Sequence, residues 1–122
     1  MPIFVVHEHH ARNLHWDLRL ESGGKLKSWA VPKQIPLRKG VRRLAIKVPD
    51  HPLDYAKFEG EIVEGYGKGT VKIWDNGNYS FIEKTPTKIV FMAQGKKLRG
   101  KFALIKTNFE GKDDTWLLMK LG

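Results

Sequence analysis

Four of the five histidines in this chain fall within HEHHARNLHWDLRL, residues 7–20. The segment from Leu14 to Glu21 alternates in a two-residue rhythm, which reads as a β-strand whose successive side chains point to opposite faces. One face then carries His15, Asp17, Arg19 and Glu21; the other carries Leu14, Trp16, Leu18 and Leu20 and is apolar enough to be the core face. His-x-Asp on a strand lets both side chains reach one point above the sheet, and His9, just upstream, supplies a third ligand. Two imidazoles and one carboxylate suit a divalent transition metal such as manganese, iron or zinc, with positions left open for water or substrate. Arg19 beside such a metal makes sense if an anion sits between them, and a guanidinium matches phosphate oxygens. A solvated, histidine-rich strand that picks up metal incidentally is the plainer reading of the same pattern.

A second constellation is DHPLDY, residues 50–55, where a proline bends the chain between His51 and Tyr55. Both side chains face one site if the segment turns; an ordinary polar loop accounts for it equally well. GYGKGT (65–70) lacks the order of a phosphate-binding loop and has no helix after it, so it reads as a hairpin turn. The chain contains no Gly-x-Ser-x-Gly nucleophile elbow and no cysteine, which removes the covalent hydrolase classes.

The elements that must hold these residues are strands. Besides Leu14–Glu21, alternation marks LKSWAV, RRLAIKV, GTVKIWDNGNYSFIEK, TKIVFMA, KFALIKT and DTWLLMKL. Leu44, Ile46 and Val48 share one face of their strand, and Arg43, Ala45 and Lys47 the other. Turns are expected at ESGGK and, most strongly, at Asn76-Gly77. Prolines 32, 36, 49, 52 and 86 are expected between strands, where they do least damage. No amphipathic helix of useful length is evident. At 122 residues, 41% hydrophobic and 29% charged, the chain is one globular domain, residues 1–122. The expected fold is all-β: a small closed or nearly closed barrel, whose closure removes exposed strand edges, with a polar active-site groove. A net charge of +9, spread along the chain, favours a polyanionic partner, nucleic acid before membrane. The lack of cysteine, of a signal peptide and of an apolar run near ~20 residues points to a cytoplasmic protein with no membrane partner.

Together these segments resemble the 3′-phosphoesterase domain of bacterial DNA ligase D and its stand-alone archaeal relatives. The resemblance rests on HEHHARNLHWDLRLE, LKSWAVPK, RRLAIKVPDHPLDY, FEGEI, YGKGTVKIWDNG and WLLMK, in order over nearly the whole chain. It implies a manganese-dependent hydrolase that heals DNA 3′ ends, taking off a terminal ribonucleotide to leave a 3′-phosphate, then the phosphate to leave a hydroxyl. It implies His9, His15 and Asp17 as ligands of Mn²⁺ or another divalent transition metal, Arg19 as a phosphate contact, and His51 and Tyr55 as the pair at the scissile phosphate. Lys33 and Arg43 match basic residues around the site. Its partners would be DNA or RNA-tailed DNA 3′ ends, with a separate DNA ligase and polymerase in the same repair pathway; the chain itself is expected to be a monomer.

Three departures qualify the transfer. His7 stands where the family is expected to carry glutamine, so it tunes the site, adds a ligand or helps bind phosphate. The VEGYGKGT turn is one residue short. The chain begins a few residues before the first motif, without the arm that serves ribonucleotide removal, so phosphate removal is the expected activity. Two rivals share parts of the pattern: a non-catalytic nucleic-acid-binding barrel, which needs no metal, and a cupin-like iron oxygenase built on His15, Asp17 and His51. Charge and Arg19 fit the second poorly.

Overall fold

The computed structural model describes residues 2–65, 68–107, 111–112 and 114–122. Nine strands follow in chain order: β1 (Ile3–His10), β2 (Leu14–Ser22), β3 (Lys25–Val31), β4 (Arg42–Pro52), β5 (Gly60–Ile62), β6 (Gly69–Thr85), β7 (Lys88–Gln94), β8 (Arg99–Lys106) and β9 (Thr115–Lys120). They form one antiparallel sheet in the order β1-β2-β3-β4-β9-β8-β7-β6-β5, and β6 also pairs with β1, closing eight strands into a barrel. The expected all-β barrel is therefore the observed fold. A 3₁₀ turn, Leu53–Lys57, follows β4.

Alternation fills the barrel. Phe4 and Val6 from β1, Leu18 and Leu20 from β2, Trp29 and Val31 from β3, and Phe91, Phe102, Leu104 and Leu118 from the far side form one buried cluster. Ile35 and Leu98, from loops, complete it. The Leu14–Leu20 face points inward as expected, except that Leu14 lies at the open start of β2 and is exposed. Gly23 and Gly24, both at positive φ, form the two-residue turn between β2 and β3, where the mirror-image turn suits the strand twist.

Two expectations give way. Asn76-Gly77 is not a turn: β6 runs straight through it, pairing with β1 on one side and β7 on the other. Gly77 is needed there for close approach, since a Cβ would run into the carbonyl oxygen of Gln94 on the neighbouring strand. The reversal falls instead at Pro86-Thr87, between β6 and β7. Pro49 and Pro52 lie inside β4, beside a register shift against β3 that spares the missing donor. Leu44, Ile46 and Val48 share one face of β4 as read; it is the outward one, and Ala45 on the alternate face is fully buried. The turn read at residues 65–70 joins antiparallel β5 and β6, with Lys68 N–H donating to Gly65 O; Tyr66 and Gly67 lie outside the described residues.

A β-bulge decides what lies on the outer face near β1. The register shifts between Val6 and His7, so His7 and His9 stand opposite Ile73 and Val71 while Val6 stands opposite Asp75. Outside the barrel, Val5, Leu26 and Ala56, with Ile3, Tyr55 and Ile73, form a second small apolar cluster. The segment from the 3₁₀ turn to β5 thus straps over the outer face of β1, β2 and β3. Polar residues of these strands are sealed beneath or beside that strap.

Candidate metal centre and phosphate site

The β1–β2 hairpin assembles the centre. Its register sets His9 directly opposite His15 and His7 opposite Asp17, all on the outer face. The His9 and His15 rings lie 4.6 Å apart, centroid to centroid. His15 Nε2 is 3.3 Å from Asp17 Oδ1, and His9 Nδ1 is 3.6 Å from Asp17 Oδ2. One ligand atom from each of the three lies within 4.8 Å of the others. Donors bound at about 2.0–2.2 Å to one ion sit about 3–4 Å apart, so this trio fits a divalent cation with only small side-chain movements. His15 Nδ1–H donates to Asn13 O at 3.2 Å, turning Nε2 toward the shared point.

Arg19 is the buried neighbour of this trio, 3% exposed. Its Nη2 donates to Asp17 Oδ2 at 3.1 Å, its Nη1 to Ser28 Oγ at 2.8 Å and its Nε to His7 Nδ1 at 3.0 Å. The Ser28 hydroxyl in turn donates to Leu26 O. The guanidinium carbon lies 4.9 Å from the centre of the Tyr55 ring. Tyr55 in turn stacks on His51 at 4.3 Å and on Phe58 at 5.0 Å. His51 at the end of β4 and Tyr55 in the 3₁₀ turn therefore lie side by side, with Tyr55 against Arg19. These seven side chains, His7, His9, His15, Asp17, Arg19, His51 and Tyr55, form one connected group.

Electrostatics follow from burial and these contacts. Burial works to raise the Asp17 carboxyl, but the His15 hydrogen bond and the Arg19 charge, with help from His15 and His9, hold it below its ordinary value. His15 is raised, chiefly by its hydrogen bond to Asp17. His7 is pushed down to about 4, first by burial and then by Arg19. His51 is lowered by burial and Arg19, and Tyr55 is raised by burial. Burial lowers Arg19 as well, yet a guanidinium stays charged near neutral pH.

The other sequence-derived candidates separate. His7 is fully buried with both ring nitrogens hydrogen-bonded, so it lies behind Arg19 and not on the solvent-facing side. Arg43 falls on the alternate face from Leu44, and its Nε donates to Gln34 O, pinning the loop after β3. Lys33 is exposed in that same loop. Lys47 is held by Val48 O and Asp50 and lies over Trp29. Ser28 is the functional neighbour that sequence reasoning missed; its place across from Arg19 in the β2–β3 register was the available signal.

Fold and site together define a small closed β-barrel that bears, on its outer face, a two-histidine, one-carboxylate centre abutting a buried arginine. Residues 7–106 match the family described as DNA Ligase D 3′-phosphoesterase domain. The chain belongs to that family. It is similar to the multifunctional non-homologous end joining protein LigD of Pseudomonas aeruginosa, 46% identical over 96% of this chain and 15% of the relative. The corresponding DNA repair protein LigD of Mycobacterium tuberculosis is 47% identical over 97% of this chain and 16% of its own length. That of Mycolicibacterium smegmatis is 41% identical over 97% and 16%. The chain thus spans about one-sixth of the curated relatives it matches. No helix among the described residues is long and apolar enough to cross a membrane.

Proposed function

We propose that this chain is a divalent-metal-dependent phosphoesterase that heals DNA 3′ ends, releasing a 3′-phosphate to leave a hydroxyl for end joining. The observation that carries the reading is Arg19 donating to the same Asp17 oxygen that faces His9. A permanent cation built against a cation-binding trio is electrostatically costly unless an anion bridges the two, and a terminal phosphate has the charge and oxygens to do so. Family membership and the net charge of +9 both support a DNA end as the bearer of that phosphate.

His9, His15 and Asp17 would hold the metal, with Mn²⁺ the ion the reading favours. When bound, such an ion supplies Lewis-acid polarisation of a phosphate oxygen. The chain's own residues do the rest. Arg19, locked by its three acceptors, presents fixed positive charge where charge gathers on the phosphoryl group, without reorganising. His51 is neutral at pH 7 in the free protein because its value is lowered. Water attacks phosphorus in line as the bond to the 3′ oxygen breaks; His51, having taken up a proton as phosphate binds, gives it to the departing oxygen, and the released phosphate keeps the oxygen of the water. Tyr55 stacks on both His51 and Phe58, and its own ring meets the Arg19 guanidinium, so it sets the His51 ring beside that charge. Exposed lysines and arginines hold the duplex by its backbone, without base preference.

The test is a labelled duplex bearing a 3′-phosphate, incubated with the protein and each divalent metal, with products resolved by size and charge. Metal-dependent conversion to a 3′-hydroxyl is expected. Binding without conversion under any metal would instead identify a non-catalytic nucleic-acid-binding barrel. A matched duplex ending in a ribonucleotide, read in the same assay, reports whether the terminal nucleotide is also removed.

A further inference from the structure

His7 sits where the two layers of the site meet. On the barrel side its Nδ1 accepts from Arg19 Nε at 3.0 Å; on the strap side its Nε2–H donates to Phe58 O at 3.1 Å. Arginine has no acceptor, so the first bond requires a lone pair on Nδ1 and assigns the proton to Nε2. The ring also meets Tyr55 edge-on at 5.3 Å. Phe58 closes the 3₁₀ turn, its N–H bonding to Tyr55 O, so the carbonyl held by His7 belongs to the backbone that carries Tyr55. A separate tie, Ile73 N–H to Glu59 Oε2, fixes the strap to β6.

We infer that His7 is a positioning residue: one neutral imidazole joins the Arg19 guanidinium to the strap, setting the spacing between Arg19 and the Tyr55–His51 stack. This rests on the phosphoesterase reading for its effect on turnover, though not for the bonds themselves. The geometry needs one acceptor and one donor on a flat group at the end of a short side chain. A carboxamide offers both; an aliphatic side chain of similar bulk offers neither. Without His7 the guanidinium keeps Asp17 and Ser28 but loses the bond that fixes its third edge, and the strap loses its tie to Arg19 through Phe58 O, keeping the one to β6.

The experiment compares the full chain with His7→Leu and His7→Gln. Single-turnover release from a saturating 3′-phosphate duplex with Mn²⁺ should fall about 10–100-fold in His7→Leu, the usual loss when a residue that orients a site is removed. DNA affinity should not fall in parallel. His7→Gln should recover most of the lost rate. Amides across residues 53–62 should exchange faster with deuterium in His7→Leu and return toward wild-type protection in His7→Gln. A wild-type rate in His7→Leu, or equal losses in the two variants, would overturn the proposal. The wild-type protein gives a direct arm that needs neither variant to fold: long-range nitrogen–proton NMR without metal should show Nδ1 unprotonated and Nε2 protonated at pH 7. The opposite tautomer would sink the inference. If the wild-type protein releases no phosphate, the phosphoesterase reading fails, while the tautomer and exchange results still decide the role of His7.

Discussion

Replacing Arg19 with methionine should push stability and metal affinity in opposite directions. Arg19 is 3% exposed and Asp17 5%, so their pair is buried. Removing one partner of a buried pair costs about 3–5 kcal/mol, because the other charge remains unpaired. Asp17 keeps its contact with His15, which places Arg19→Met at the lower end, about 3 kcal/mol. Methionine preserves most of the side-chain bulk, so the loss is electrostatic and not a cavity. A divalent ion at His9, His15 and Asp17 would return positive charge to the same carboxylate, no longer repelled by the guanidinium. Urea unfolding in chelator should therefore show the full deficit, and saturating Mn²⁺ should narrow it. Each 1.4 kcal/mol of narrowing corresponds to about tenfold tighter binding in the variant. The denaturant slope should stay constant if the variant unfolds in the same two-state manner. A deficit under about 1 kcal/mol in chelator, or one that widens with Mn²⁺, would refute the electrostatic argument.

Metal affinity should depend on pH through His15. Its folded value is raised from 6.5, so the metal-free protein holds that proton to higher pH than a free imidazole does and the ion must displace it. Calorimetric affinity should rise with pH by up to about tenfold per unit and level off above the raised value; a flat profile from pH 5 to 8 would count against His15 as ligand. In the metal-free protein the sign for stability is opposite: the contribution of His15 is complete below 6.5 and is lost as pH climbs through the folded value. The Asp17 contribution is present above its unfolded value of 3.8 and disappears as pH falls through the depressed folded one. Arg19→Ala should lower saturated single-turnover phosphate release by about 2–4 kcal/mol of transition-state stabilisation; an effect on DNA affinity alone would remove Arg19 from the scissile phosphate. Gly77→Ala should cost about 1–3 kcal/mol in a thermal melt, since its methyl group meets the Gln94 carbonyl. An unchanged melt would mean that β6 and β7 separate easily at that point.

Much of the site was legible because a β-strand obeys a period of two. His15, Asp17 and Arg19 could be put on one face from spacing alone, and the inward face followed with them. Placing His9 required β1, which alternation did not mark: Ile3, Phe4, Val5 and Val6 are apolar on both faces because the barrel lies under one and the strap over the other. The same double burial hides His7, whose polar side chain is surrounded by protein on every side. Asn76-Gly77 misled because local turn preference yields to pairing with strands distant in sequence. The outward apolar set of β4 could not be oriented, since alternation tells which residues share a face and not which face is inside. Arg43 and Lys33 depended on where the loop after β3 travels, and no periodicity governs a loop.

The most direct test measures Mn²⁺ binding and phosphate release together, in wild type and in His9→Ala, His15→Ala and Asp17→Asn, with folding checked by circular dichroism. Wild type should bind one Mn²⁺ and convert a 3′-phosphate end to a hydroxyl. Each folded variant should lose binding and turnover in step. A folded variant that releases phosphate at the wild-type rate after losing Mn²⁺ binding would contradict the assignment of His9, His15 and Asp17 as the catalytic metal centre.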